Sequence, residues 1–164
     1  MGNIGRRVAG CAAAFGANVS YSSISGAVRR EEYPCVPLET LLRESDILSI
    51  HAPLNEKTKA LIGEREFSMM KRTAVVINVG RGAITDETAL ANAVSGGIIA
   101  GAAIDVFSEE PLRADSPLFS VPDERVVFSP HIAWASLSAR RRCIEMTADN
   151  IKTFINGEKH NDVC

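Results

Sequence analysis

Short apolar, β-branched runs alternate along this chain with segments whose apolar residues recur at helical spacing. Residues 17–22, 47–50, 74–79, 100–106 and 125–128 read as strands. Three of these runs, Ile47-Leu48-Ser49-Ile50, Ala74-Val75-Val76-Ile77-Asn78-Val79 and Ile99-Ala100-Gly101-Ala102-Ala103-Ile104, are mostly apolar or small at every position. That pattern suits strands covered by helices on both faces of a parallel sheet. Between them, Ile4, Val8, Cys11 and Phe15 recur at helical spacing, and Gly16 stands where a helix stop belongs. Residues 38–45, 64–70 and 86–95 follow the same logic. A longer helix is predicted over about 137–155, with Ser136 as N-cap and Ile144, Ala148, Ile151 and Phe154 on one face. Alternation of this kind predicts an α/β fold, a doubly wound, Rossmann-like parallel sheet.

Composition narrows the classes of partner. Net charge is −2 and no basic face stands out, which argues against nucleic acid or a membrane surface. The run Arg140-Arg141-Arg142 points three ways around a helix and reads as solvated. No apolar stretch approaches the roughly 18 residues of a spanning helix, and a signal peptide is not expected. Cys11, Cys35, Cys143 and Cys164 are scattered and the histidines lie far apart, so neither a disulfide framework nor a metal site is expected. Reduced thiols in a cytoplasm are the plain reading.

The first residues carry a candidate phosphate loop. Met1-Gly2-Asn3-Ile4-Gly5, followed by a helix, matches the second half of Gly-x-Gly-x-x-Gly. Gly2 would let the backbone approach a pyrophosphate, Gly5 would let the helix pack, and the helix N-terminus would supply N–H donors. The sequence opens inside that motif, so the first glycine and first strand are expected to be missing. In the strand order 3-2-1-4-5-6 that strand would lie mid-sheet. An acid should follow about 20 residues on to bind the ribose; Ser22 and Ser23 stand there instead, with Arg29 and Arg30 beyond. Serines bond either a hydroxyl or a 2′-phosphate, which leaves NAD and NADP both open.

Three segments place charge just past strands, where ligands of such sheets bind. They are Asn78-Val79-Gly80-Arg81-Gly82, then Asp105-Val106-Phe107-Ser108-Glu109-Glu110-Pro111, then Ser129-Pro130-His131-Ile132-Ala133-Trp134. With His51-Ala52-Pro53-Leu54 and Thr58, these motifs resemble the D-isomer-specific 2-hydroxyacid dehydrogenases in their cofactor-binding part, over essentially the whole chain. The Pro-His-Ile-Ala-Trp form is similar to the glycerate dehydrogenase and hydroxypyruvate reductase branch.

The resemblance implies a catalytic set of Arg81, Glu110 and His131. It implies cofactor contacts at Gly2, Asn3, Ile4, Gly5, Ser22, Ser23, His51, Ala52, Pro53, Asn78, Val79, Gly80, Asp105, His131 and Ala133. A planar guanidinium can hold a carboxylate bidentately and polarise the neighbouring ketone. An imidazole can deliver a proton near neutral pH, and a glutamate on its far nitrogen fixes the tautomer. The expected activity is hydride transfer between NAD (NADP open) and a small 2-hydroxy or 2-oxo acid. Residues 1–164 would be one incomplete dinucleotide-binding domain, inactive alone, with its last helix leading back towards a substrate domain. A cytoplasmic homodimer is the implied setting. A dinucleotide-sensing corepressor, or a non-catalytic nucleotide-binding module, is the alternative. Trp134 reads as packing beside the site, His51 as shaping its loop, and His160 has no role.

Overall fold

Four strands of the computed structural model, which describes residues 1–25 and 32–158, form one parallel sheet in the order β1-β2-β3-β4. They are β1 (Ile47–Ile50), β2 (Val75–Asn78), β3 (Gly101–Ile104) and β4 (Val126–Phe128). Five α-helices accompany them: α1 (Asn3–Ala14), α2 (Leu38–Glu44), α3 (Glu64–Met69), α4 (Glu87–Ser95) and α5 (Leu137–Ile155). The chain divides into two compact units, Met1–Pro130 with the sheet and a second beginning at His131. Arg29, Arg30, His160 and Cys164 lie outside the described residues.

Register is what makes this sheet useful. Ile50 pairs with Asn78, Asn78 with Ile104, and Ile104 with Phe128, so all four strands end level. The segments that follow therefore leave one edge together: His51 after β1, Val79 to Arg81 after β2, Asp105 after β3 and Ser129 after β4. Leu48, Ile50, Val76 and Ile104 of the strands join Phe67 of α3 and Leu90 and Val94 of α4 in one core. Full burial of such a side chain contributes about 1.5–3 kcal/mol.

Helix ends follow the sequence closely. Asp86 caps α4 by accepting from the Ala89 N–H at 2.9 Å, and Ser136 caps α5 by accepting from Ala139 N–H at 3.2 Å. A cap of this kind contributes about 1 kcal/mol. After α1, Gly16 takes a left-handed φ of 87°, where the stop was expected.

Two expectations need correction. Residues 17–22 do not form a strand: Tyr21 makes a single parallel bridge to Cys35, with no ladder among the described residues. A strand exists only where a neighbour supplies hydrogen bonds, and an apolar run by itself does not. Coverage of the sheet is also unequal. Leu48, Ile50, Val76 and Asn78 are buried, whereas Ile47 is exposed and Ser49, Val75 and Ile77 are half-buried. Helix α5 spans the residues read for it, and Ile144, Ile151 and Phe154 on its apolar face are exposed. Among the described residues no helix is long and apolar enough to cross a membrane.

Candidate active site

The segment after β2 is built around Asn78. Its side chain is almost wholly enclosed, at 1% exposure. Oδ1 accepts from the Gly80 N–H at 3.1 Å, while Nδ2 donates to the Arg81 carbonyl at 3.1 Å and to Thr85 Oγ1 at 3.3 Å. These bonds turn the chain sharply after the strand, and a short 3₁₀ turn, Gly82–Ile84, follows. Arg81 is left at the surface, its guanidinium exposed and one NH group donating to the Gly80 carbonyl at 2.8 Å.

Gly82 decides what this turn lies against. A Cβ there would fall 1.9 Å from the Phe107 carbonyl carbon and 2.3 Å from both the Phe107 oxygen and the Ser108 nitrogen. The turn after Arg81 thus rests directly on the backbone of the loop that follows β3. Glu87, in the first turn of α4, holds the same loop by accepting from the Ser108 N–H at 2.6 Å. Glu110, three residues past Phe107, is exposed, and its Oε1 accepts from the Phe107 N–H at 3.0 Å. Arg81 and Glu110 therefore stand on two loops in backbone contact at the carboxyl edge of the sheet.

Asp105, just after β3, is a buried carboxylate, 3% exposed, with Ser129 Oγ donating to its Oδ1 at 2.5 Å. The loop after β1 is tied by Thr58, whose Oγ1 donates to the Pro53 carbonyl at 2.6 Å and accepts from the Asn55 N–H at 2.8 Å. That bond is why a threonine four residues beyond Pro53-Leu54 belongs to the motif. Ala52 and Gly80 bring the first two loops close: a Cβ at 80 would lie 3.4 Å from the Ala52 carbonyl and 3.3 Å from that of Ile50.

At the start of the chain, α1 begins with Gly2 as N-cap, no side chain capping it and no acid in its first turn. A Cβ at Gly2 would meet nothing within 4 Å, so the space before the helix is open. Gly5 is buried against His51, whose Cβ and Cδ2 lie 3.6 and 3.8 Å from where a Cβ at position 5 would be. Asn3 and Ile4 are exposed beside it. Burial pushes the His51 imidazole below its ordinary value, and Nε2 lies 2.9 Å from Ser49 Oγ. An open helix N-terminus with no side-chain cap suits the pyrophosphate of a dinucleotide. Ser22 and Ser23 are half-buried, and Ser23 Oγ lies 3.3 Å from Ser25 Oγ.

His131 opens the second unit and adopts a left-handed φ of 55°. Such a backbone costs about 1–3 kcal/mol in a residue with a side chain and concentrates at functional sites. Trp134 helps to hold it, donating from Nε1 to the His131 carbonyl at 2.8 Å. The indole is 60% exposed, so it acts on the His131 turn through a hydrogen bond rather than through packing. Sequence reading missed that bond and missed Glu87, whose only signal was an acid in the first turn of α4. Ala133 is exposed in the same turn as His131.

Comparison with known proteins shows the family and the fold. The family model described as "D-isomer specific 2-hydroxyacid dehydrogenase, NAD binding domain" matches residues 1–133. A glyoxylate reductase of Aeropyrum pernix is 48% identical over 163 residues, which cover 96% of this chain and 48% of that protein. A glycerate dehydrogenase of Methylorubrum extorquens is 38% identical over 128 residues, covering 78% of this chain and 41% of that protein. Among solved structures, a glyoxylate reductase from Paecilomyes thermophila superposes with a TM-score of 0.87 at 33% identity, over 99% of this chain and 50% of that one. An acyclic imino acid reductase (Bsp5) in complex with NADPH and D-Arg gives a TM-score of 0.88 at 31% identity, over 99% and 51% of the two chains. The chain spans about half the length of the curated relatives it matches.

Proposed function

This chain belongs to the D-isomer specific 2-hydroxyacid dehydrogenase family, as the NAD-binding domain, and we propose that the protein containing it reduces a small 2-oxo acid to the 2-hydroxy acid. The observation that carries this reading is the seating of Gly82 on the Phe107–Ser108 backbone, which sets Arg81 beside the loop ending in Glu110.

The open N-terminus of α1, with Gly2 and Gly5, is the pyrophosphate subsite, and Val79, Ala52 and Asp105 line the nicotinamide end. Bound there, the reduced nicotinamide supplies the hydride. Arg81 holds the substrate carboxylate with its planar fork and draws charge toward the ketone oxygen. His131 gives a proton to that oxygen, and Glu110 completes the catalytic set that the family resemblance implies. The relatives named glyoxylate reductase and glycerate dehydrogenase favour glyoxylate and hydroxypyruvate as substrates.

NAD is the proposed cofactor on the family match, while the NADPH seen with Bsp5 and the serines at 22 and 23 keep NADP in the test. A homodimer is proposed on family likeness. A cytoplasmic setting is supported by Cys11, Cys35 and Cys143, which are exposed free thiols. The test is consumption of NADH and NADPH by the intact protein with glyoxylate, hydroxypyruvate and pyruvate in turn. Turnover of one or more of these acids is expected, with D-glycerate as the product from hydroxypyruvate. Tight dinucleotide binding without turnover of any 2-oxo acid would overturn the enzyme reading in favour of a sensing role.

A further inference from the structure

The residue that ends β2 is an asparagine. It is 1% exposed, and its three amide contacts all go to the segment that carries Arg81: the Gly80 N–H, the Arg81 carbonyl and Thr85 Oγ1. The partners fix the orientation of the amide. A backbone N–H can only donate and a carbonyl can only accept, so Oδ1 must face Gly80 and Nδ2 must face Arg81. No other side chain of this size presents an acceptor and a two-proton donor in one rigid plane.

Thr85, 3% exposed, is itself fixed from two sides. Its N–H donates to the Gly82 carbonyl at 2.9 Å, and it forms a parallel bridge with Ile62. Gly82, immediately after Arg81, is pinned against Phe107 and Ser108. Arg81 is therefore clamped by Asn78 on its own carbonyl and by the second loop at its neighbour.

We propose that Asn78 is a positioning residue for Arg81, setting the backbone from which the guanidinium reaches the substrate carboxylate rather than contacting the cofactor. The proposal rests on reading Arg81 as the carboxylate anchor. Asp at position 78 keeps the acceptor for Gly80 but sets a carboxylate oxygen against the Arg81 carbonyl, where Nδ2 now donates. Thr85→Val, similar in shape, removes only the outer partner of the amide.

The test is a double-mutant cycle in the intact protein: wild type, Asn78→Asp, Arg81→Ala and the pair, with Thr85→Val alongside. Steady-state constants for the 2-oxo acid, NADH dissociation constants and melting curves are measured for each. Asn78→Asp is expected to lower kcat/KM for the oxo acid by about 10- to 100-fold, as an angstrom-scale misplacement does, with NADH affinity within about twofold of wild type. In the Arg81→Ala background the same change is expected to cost less than about twofold, because the group it positions is gone. Thr85→Val should give a smaller loss in the same constant, which keeps the test open if Asn78→Asp does not fold. A selective loss of NADH affinity in Asn78→Asp would overturn the proposal and make Asn78 a cofactor contact. Undiminished, multiplicative losses in the pair would overturn it too. Arg81→Ala with wild-type kcat/KM would instead remove the anchor reading itself, and this proposal with it.

Discussion

Replacing Gly82 by alanine adds one methyl group at the point where the two site loops meet. That carbon would stand 1.9 Å from the Phe107 carbonyl carbon and 2.3 Å from the Phe107 oxygen and Ser108 nitrogen, all backbone atoms that no rotamer change can move. Nonbonded carbons need about 3.5 Å, so the loops must part by about 1.5 Å. Overpacking of this kind costs about 1–3 kcal/mol, which in a domain of this size lowers the melting temperature by roughly 2–12 °C. The separation also carries Arg81 away from the loop holding Glu110. A misplacement of about 1 Å costs about 100-fold in rate. The open end of α1 is untouched, so NADH affinity should hold to within a few-fold. Calorimetry and steady-state kinetics on Gly82→Ala measure both effects. A melting temperature within about 1 °C of wild type, together with unchanged kcat/KM, would refute the close approach and the site geometry built on it.

Two further outcomes follow from the same geometry. Arg81→Lys keeps the charge and loses the fork, so the Michaelis constant for the oxo acid should rise and turnover should fall while NADH affinity holds; weakening of NADH binding alone would make Arg81 a phosphate ligand. For His51, burial pushes the imidazole below its ordinary value of 6.5, so the unfolded chain binds this proton more readily than the folded one. Its contribution to stability is full above that value and is lost as pH falls through it toward the lower folded value. His51→Gln should flatten the melting-temperature profile as pH falls below 6.5, and profiles of equal slope would show that His51 does not titrate there.

The sheet and its edge were legible because their signals are local. Residues 47–50 form a strand as read, and the strands read at 74–79 and 100–106 are shorter only at their ends. Ser136 caps the helix its side chain suggested, and Asp86, read only as the start of a helix, caps α4. The strand read at 17–22 failed because an apolar run does not say whether a neighbour pairs with it. Order in the site was harder to see. The motif shows a glycine at 82, but only the fold shows that the carbonyl of Phe107 occupies the space a side chain would take. The resemblance implies a cofactor contact at Asn78, which ends a strand at the ligand edge. Alternation also places it on the face of buried Val76, the side from which its amide holds the turn. Trp134 looked like packing since an indole has no acid–base chemistry, whereas its N–H is spent on the His131 carbonyl. Donor and acceptor pairing between loops is a property of three-dimensional approach, and sequence spacing does not carry it.

The proton donor is the point on which the chemistry turns, and His131→Gln in the intact protein tests it most directly. Glutamine keeps a polar side chain of similar reach and removes the titrating group, so binding and proton transfer separate. Turnover with hydroxypyruvate or glyoxylate should fall by roughly 10²- to 10⁴-fold, while the NADH dissociation constant, read by fluorescence titration, stays close to wild type. Unchanged turnover in His131→Gln would contradict the account and remove His131 from the reaction.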